Sequence, residues 1–283
     1  MILPGNESQS LAAALAVETN DSLAVVETTR FSDGEFKVQI DDVYDERAVI
    51  VASTVSSDAH IELLQLQDIA SQYAEEVVTV IPYMGYSRQD EAFNEGEPVS
   101  VRAIARAIST ETDRVLTVTP HEPEICDFFD VPCEAIDGAP LLAEPLPVDL
   151  SDPLFLAPDE GATDLAGSVR DSYGRGGTDF FEKSRDHATG DVELHPNETD
   201  VTDRDVVVTD DIIATGSTVS KAIEQLRTQD VGRVFAVCVH PMLAANARTK
   251  LANAGVEAVY GTDTIERSVS RVSVAPRVAD ALW

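Results

Sequence analysis

Short runs of β-branched and apolar residues alternate with stretches of helical periodicity along nearly the whole chain. This alternation constrains the fold more than any other feature. The strand-like runs are LAVVET, FKVQI, AVIVAS, VVTVIP, RVLTVTP, LFLAPD, DVVVTDD, RVFAVCVHP and EAVYGTD. Between several of them lie IELLQLQDIASQYA, VSVRAIARAIST, TDLAGSVRDSYG, STVSKAIEQLRTQ and ANARTKLANAG, whose apolar residues recur with a helical period. Such spacing predicts βαβ units and an α/β fold with a mainly parallel sheet. Uninterrupted apolar strands such as Val206–Val208 predict burial on both sheet faces. A Pro-rich stretch, Ala139 to Pro153, interrupts the pattern near the middle. The expected domains are therefore residues 1–140 and 141–267; separately, a tail, 268–283, is expected to pack back on the first. In open parallel sheets ligands sit beyond the carboxyl ends of the strands, so polar residues there are the ones to inspect.

Composition narrows the function classes. The chain has 283 residues, with 51 Asp+Glu against 20 Lys+Arg and a net charge of -31. The acids are dispersed rather than gathered in a tail. No basic cluster offsets them, which excludes a nucleic-acid partner. No apolar run approaches the ~18 residues of a membrane span, and the amino terminus lacks a signal peptide's basic start, so a cytoplasmic protein is expected. Cys126, Cys133 and Cys238 form no C-x-x-C pair, and neither a disulfide framework nor a cysteine zinc site is expected. Four lysines (Lys37, Lys183, Lys221, Lys250) stand against 16 arginines. Scarce lysine with dispersed acid predicts a surface suited to high salt, where screening relieves self-repulsion. An ordinary acidic protein is the plainer alternative.

The strongest local signal is Val206-Val-Val-Thr-Asp-Asp-Ile-Ile-Ala-Thr-Gly-Ser-Thr218, followed by the helical VSKAIEQL. A buried strand ends in Asp210 and Asp211, and a Thr-Gly-Ser-Thr loop opens a helix. Backbone N–H groups, the helix amino terminus and the hydroxyls make a phosphate cradle. The two carboxylates can accept from sugar hydroxyls or hold a phosphate-bound Mg²⁺. One sugar and one phosphate, a ribose 5-phosphate, would satisfy the whole loop. A helix merely capped after an acidic turn is the plain reading.

This loop resembles the phosphoribosyl-binding loop of the type I phosphoribosyltransferase fold. The remaining segments resemble the ribose-phosphate diphosphokinase (PRPP synthetase) family. Arg30-Phe-Ser-Asp-Gly-Glu35 looks like its nucleotide-contacting segment, and Val80 to Asp90, with Glu97-Pro-Val-Ser further on, like its second. Thr119-Pro-His121 followed by Ile125 to Asp130 is similar to the metal-binding histidine region. Ala157-Pro-Asp-Glu-Gly161 is similar to its Pro-Asp turn, and Glu182-Lys-Ser-Arg185 to its catalytic flexible loop. The order holds from Arg30 to Thr264.

The resemblance implies two tandem phosphoribosyltransferase-like domains, each a parallel sheet flanked by helices. It implies transfer of the diphosphoryl group of ATP to C1 of ribose 5-phosphate, giving 5-phosphoribosyl 1-diphosphate (PRPP) and AMP, with Mg²⁺ as cofactor and a homo-oligomer. ATP is then expected at Phe31, Asp33, Gly34, Glu35, Arg88, Gln89 and Asp90, and metal at His121 and Asp159. Lys183 and Arg185 clamp the diphosphoryl group. Ribose 5-phosphate goes to Arg185, Asp210, Asp211, Ala214, Thr215, Gly216, Ser217 and Thr218.

Chemistry is consistent with these roles. Phe31 can stack on adenine, Arg88 offers a rigid fork to phosphate, and Gln89 can bond base or ribose. Gly174 to Gly177 would supply flexibility for a closing loop. His60 and His195 are expected at the surface, His187 in the mobile loop, and His240 is the rival to His121. Two departures stand out. Ala214 occupies a position where the family often has an acid, and Glu91-Ala-Phe-Asn replaces residues that are basic in many members, against a basic allosteric phosphate site. The competing readings are a nucleobase phosphoribosyltransferase, which needs only the Asp210–Thr218 loop, and a non-catalytic regulatory relative, which would lose Lys183 or the metal residues.

Overall fold

The computed structural model describes residues 1–41, 45–92, 94–185, 192–196 and 199–283. It divides into two compact units. One is Met1–Asp137 with Asp263–Glu266 and Ser273–Trp283, and the other is Gly138–Thr262 with Arg267–Val272.

The first unit runs β1 (Ile2–Pro4), α1 (Gln9–Thr19), β2 (Val26–Arg30), β3 (Phe36–Ile40), β4 (Asp45–Val51), α2 (Ser57–Tyr73), β5 (Ala74–Ile81), α3 (Ser100–Ile108), β6 (Arg114–Val118) and β7 (Cys133–Ile136). The order β1-β4-β5-β6-β7 is parallel throughout, and β2 and β3 form a separate antiparallel hairpin. The Ser56 side chain accepts from the Ala59 N–H at 3.2 Å and starts α2. That helix buries Leu63 and Leu66 against Ile50, Ile81 and Ile108. The helix α1 has no counterpart among the expected elements. Alanines surround it, so no polar stripe marks it out, and it buries Leu11, Ala12, Leu15 and Ala16.

The second unit holds β8 (Leu154–Ala157), α4 (Thr163–Tyr173), β9 (Gly177–Arg185), β10 (Val192–Pro196), β11 (Val206–Ile212), α5 (Ser217–Leu226), β12 (Val234–His240), α6 (Ala247–Asn253), β13 (Ala258–Thr262) and β14 (Ser270–Val272). Its sheet order is β10-β9-β8-β11-β12-β13-β14, antiparallel only between β9 and β10. Both units thus have the parallel, helix-flanked sheets that the sequence predicts. The central strands β8, β11 and β12 are buried along their apolar stretches, as their continuous Val/Leu/Phe composition requires. Asp205, just before β11, accepts from the Ser151 N–H at 2.7 Å, the Arg233 N–H at 2.7 Å and the Arg233 guanidinium at 2.8 Å. This buried carboxylate ties together the amino-terminal ends of the strands, opposite the end where a ligand would bind.

The chain ends in the first unit with α7 (Ala275–Leu282). Arg114 donates to the Ala281 carbonyl at 2.8 Å, and the Arg47 guanidinium lies 4.2 Å from the Trp283 ring centroid. Among the described residues no helix is long and apolar enough to cross a membrane.

Two expectations, on the cysteines and on His60, are corrected. Cys126 and Cys133 are joined in a disulfide, with Cα atoms 5.2 Å apart. A 3-10 segment, Pro123–Phe128, turns the chain back so that its cysteine meets the start of β7. His60 is buried at 7% exposure, tilted against Tyr86, and burial lowers its pKa to about 4. Gly174 and Gly176 are geometric requirements of the turn into β9. Gly174 caps α4 at φ +86°, and a Cβ on Gly176 would lie 2.5 Å from the Pro153 carbonyl oxygen. His187 lies outside the described residues, as does Phe93 in the Glu91–Asn94 segment.

Candidate active site

In β11, Val206 to Thr209 are buried, and the strand emerges at Asp210 and Asp211, which are half-buried side by side. The Ile212 N–H donates to the Asp211 carboxylate at 2.7 Å. Burial, and next the charge of Asp211, raise the pKa of Asp210 well above its ordinary 3.8. Two adjacent carboxyls in this setting favour keeping a proton until a cation or hydroxyl donors compensate the second charge.

The chain then turns through Ala214-Thr-Gly-Ser-Thr218 into α5. Gly216 adopts φ +70°, and a Cβ there would lie 3.3 Å from both the Cβ and carbonyl oxygen of Ala247. Only glycine takes this left-handed conformation and close approach without strain. The Thr215 and Ser217 hydroxyls lie 3.2 Å apart. No side chain caps α5, so N–H groups of its first turn remain available to an anion. The structure therefore brings Asp210, Asp211, Ala214, Thr215, Gly216, Ser217 and Thr218 together at the carboxyl end of the central strand. One residue that sequence reasoning passed over joins them: Lys250 of α6 donates to the Ser217 hydroxyl at 2.8 Å.

In the first unit Phe31, Asp33, Gly34 and Glu35 form the tip of the β2–β3 hairpin. The Phe31 N–H donates to the Glu35 carbonyl at 2.7 Å, Gly34 turns at φ +95°, and the Glu35 N–H donates to Asp33 at 3.1 Å. Arg30 steadies the tip through the Gly34 carbonyl at 2.7 Å and the Asp58 carboxylate at 2.6 Å. Phe31 itself is 48% exposed, unlike the buried phenylalanines of the core, and so is free to stack on a planar ligand. Arg88, Gln89 and Asp90 follow β5 through a turn in which Gly85 is indispensable. A Cβ on Gly85 would lie 2.2 Å from the Thr54 carbonyl oxygen. Arg88 is exposed, whereas Gln89 accepts from the Ser100 hydroxyl at 2.6 Å and so is held by the start of α3.

His121 is exposed just past β6, in the first unit, and Asp159 follows β8 in the second. His240, its rival, is buried at 4% exposure at the end of β12. Among the described residues no group of three or more His, Cys, Asp or Glu is placed to hold a metal ion. Lys183 and Arg185 lie at the end of β9, opposite Leu194 and Val192 of β10.

Comparison with known proteins follows the same division. Residues 1–111 match the N-terminal domain of ribose phosphate pyrophosphokinase, and residues 146–276 match the phosphoribosyl transferase domain. The chain is 62% identical to the ribose-phosphate pyrophosphokinase of Halobacterium salinarum, with all of both chains covered. It belongs to the ribose-phosphate pyrophosphokinase family. A Methanosarcina mazei ribose-phosphate pyrophosphokinase is 41% identical over 99% of this chain and 94% of its own. The crystal structure of phosphoribosylpyrophosphate synthetase from Mycobacterium smegmatis superposes with a TM-score of 0.85 at 26% identity, covering 100% of this chain and 97% of that one. Matches that span both units do not favour the nucleobase phosphoribosyltransferase or non-catalytic readings.

Proposed function

We propose that this protein is a ribose-phosphate diphosphokinase, transferring the β,γ-diphosphoryl group of ATP to the C1 hydroxyl of ribose 5-phosphate. The observation that carries the reading is the Asp210–Thr218 loop, which offers two carboxyls for a sugar and an N–H and hydroxyl cradle for its phosphate. The 5-phosphate accepts hydrogen bonds from Thr215, Gly216, Ser217 and Thr218, and the ribose hydroxyls donate to Asp210 and Asp211. Phe31 stacks on adenine, while Asp33, Glu35 and Gln89 bond its edge or the ribose, and Arg88 faces the nucleotide phosphates. The C1 oxygen attacks the β-phosphorus, and the bond from that phosphorus to the oxygen bridging the α-phosphorus breaks. AMP leaves with that oxygen, and the C1 hydroxyl proton passes to solvent. Lys183 and Arg185 neutralise charge on the moving diphosphoryl group. Positioning and charge compensation suffice, and no general base is assigned.

The Asp159 carboxylate fits Mg²⁺, whereas the His121 imidazole would be a less usual nitrogen ligand. This ion prefers oxygen ligands, keeps several waters and is held by one or two protein groups together with substrate phosphates. Asp159 and His121 would each give it one ligand. When bound it supplies charge neutralisation on the phosphate oxygens.

We further propose that the protein works in the cytoplasm at high salt, as a homo-oligomer, in nucleotide biosynthesis. The charge of -31 and the four lysines support the salt reading. Purified protein supplied with ATP, Mg²⁺ and ribose 5-phosphate in molar KCl should form AMP. Folded protein that forms none would overturn the assignment. Lys183→Ala should lower turnover on the order of a thousandfold while ribose 5-phosphate still binds.

A further inference from the structure

The helix α6 is docked directly on the Thr215–Thr218 loop. The Leu243 N–H donates to the Ile213 carbonyl and the Ala244 N–H to the Ala214 carbonyl, both at 2.9 Å, so the segment after β12 runs alongside the loop. Ala247, the first residue of α6, meets Gly216 closely enough that a Cβ there would lie 3.3 Å away. Lys250 sits three residues further on, on the same helix face. Its ammonium donates to the Ser217 hydroxyl at 2.8 Å and approaches the Thr215 carbonyl at 3.5 Å. Among the described residues these two oxygens are its partners, and no carboxylate is, although the chain carries 51 acids and only four lysines. The side chain is half-buried, so its charge is less screened than that of a free surface lysine.

A half-buried ammonium without a carboxylate, one hydroxyl away from an anion cradle, is a charge held for an incoming anion. By donating to Ser217 it occupies one acceptor lone pair of that oxygen, so the Ser217 proton turns toward the Thr215 hydroxyl, 3.2 Å away, or toward a ligand. We propose that Lys250 is a positioning residue for the 5-phosphate of ribose 5-phosphate, orienting Ser217 and supplying fixed positive charge behind the loop. This rests on the loop being the ribose 5-phosphate site. It adds to that site a residue outside the loop itself, 33 positions from the serine it holds.

The test compares wild type with Lys250→Gln, which keeps a hydrogen-bond donor but no charge, and with Lys250→Arg. Calorimetric titration with ribose 5-phosphate and with unphosphorylated ribose reads affinity, and thermal unfolding reads stability. We expect Lys250→Gln to weaken ribose 5-phosphate about tenfold or more, equivalent to ~1.4 kcal/mol. Binding of unphosphorylated ribose should be kept, and Lys250→Arg should restore affinity for ribose 5-phosphate. If wild type binds ribose 5-phosphate and Lys250→Gln binds it equally well, this inference fails and the function stands. If Lys250→Gln loses affinity for ribose as much as for ribose 5-phosphate, or arginine restores nothing, the lysine is only a tether between helix and loop. Wild type that binds no ribose 5-phosphate would overturn the site itself.

Discussion

Gly216→Ala tests the cradle at its most constrained point. The residue sits at φ +70°, where a residue bearing a Cβ costs about 1–2 kcal/mol. The new Cβ would also meet the Cβ and carbonyl oxygen of Ala247 at 3.3 Å, and Ala247 is held in place by the Ala244 carbonyl at 3.2 Å. Against this, alanine restricts the unfolded chain and returns about 0.4–1 kcal/mol. The net loss is about 1 kcal/mol, or roughly 2–4 °C in the unfolding midpoint. The functional loss should be larger in proportion, because a shift of a few tenths of an ångström turns the N–H groups away from the phosphate. KM for ribose 5-phosphate should rise about tenfold or more, with KM for ATP little changed. Gly167→Ala is the matched control. It lies within α4 with nothing within 4 Å of the added Cβ, and should raise stability by about 0.5–1 kcal/mol without touching KM. Thermal scans in molar KCl and initial rates at varied ribose 5-phosphate read both effects. A Gly216→Ala enzyme with unchanged midpoint and KM would refute the left-handed loop and its contact with α6.

Further outcomes follow from other contacts. Burial and Asp211 raise the Asp210 pKa, so the stability that this group contributes is present below pH ~3.8 and is lost as pH rises through its folded value. Asp210→Asn should therefore unfold at a higher temperature than wild type at neutral pH, with the gap closing toward pH 4, while turnover collapses. A lower midpoint at pH 7 would contradict the raised pKa. Gly85→Ala places a Cβ 2.2 Å from the Thr54 carbonyl oxygen and should cost about 3 kcal/mol or prevent folding, as read by circular dichroism and denaturant titration. Alkylation counted by mass spectrometry should label no cysteine in the native protein, Cys126 and Cys133 after reduction, and Cys238 only on unfolding. Cys238 is buried in β12, and burial pushes its thiol pKa up.

The sheets were legible because the central strands are rich in Val, Ile, Leu and Phe, and β11 stands out in the sequence by ending in paired acids before a hydroxyl-rich turn. What stayed hidden depends on long-range packing. The helix α1 is too rich in alanine to show a polar face, and His60 on α2 looks like a surface histidine until Tyr86 covers it. The cysteines carry no pairing motif, and only the 3-10 turn after His121 brings them together. The close approach of Gly176 to the Pro153 carbonyl and the left-handed cap that Gly174 puts on α4 also depend on packing that no local pattern shows. Lys250 has no local signature at all, because its partner is Ser217 in another helix's first turn.

The central claim is that the β,γ-diphosphoryl group moves as one piece to a sugar bound at the Asp210–Thr218 loop. ATP labelled at the β-phosphorus decides it. Incubated with the protein, Mg²⁺ and ribose 5-phosphate in molar KCl, the label should appear in the sugar product and be absent from the nucleotide product, which should be AMP. Label retained in ADP would mean that only the terminal phosphoryl group moves, and would contradict the account.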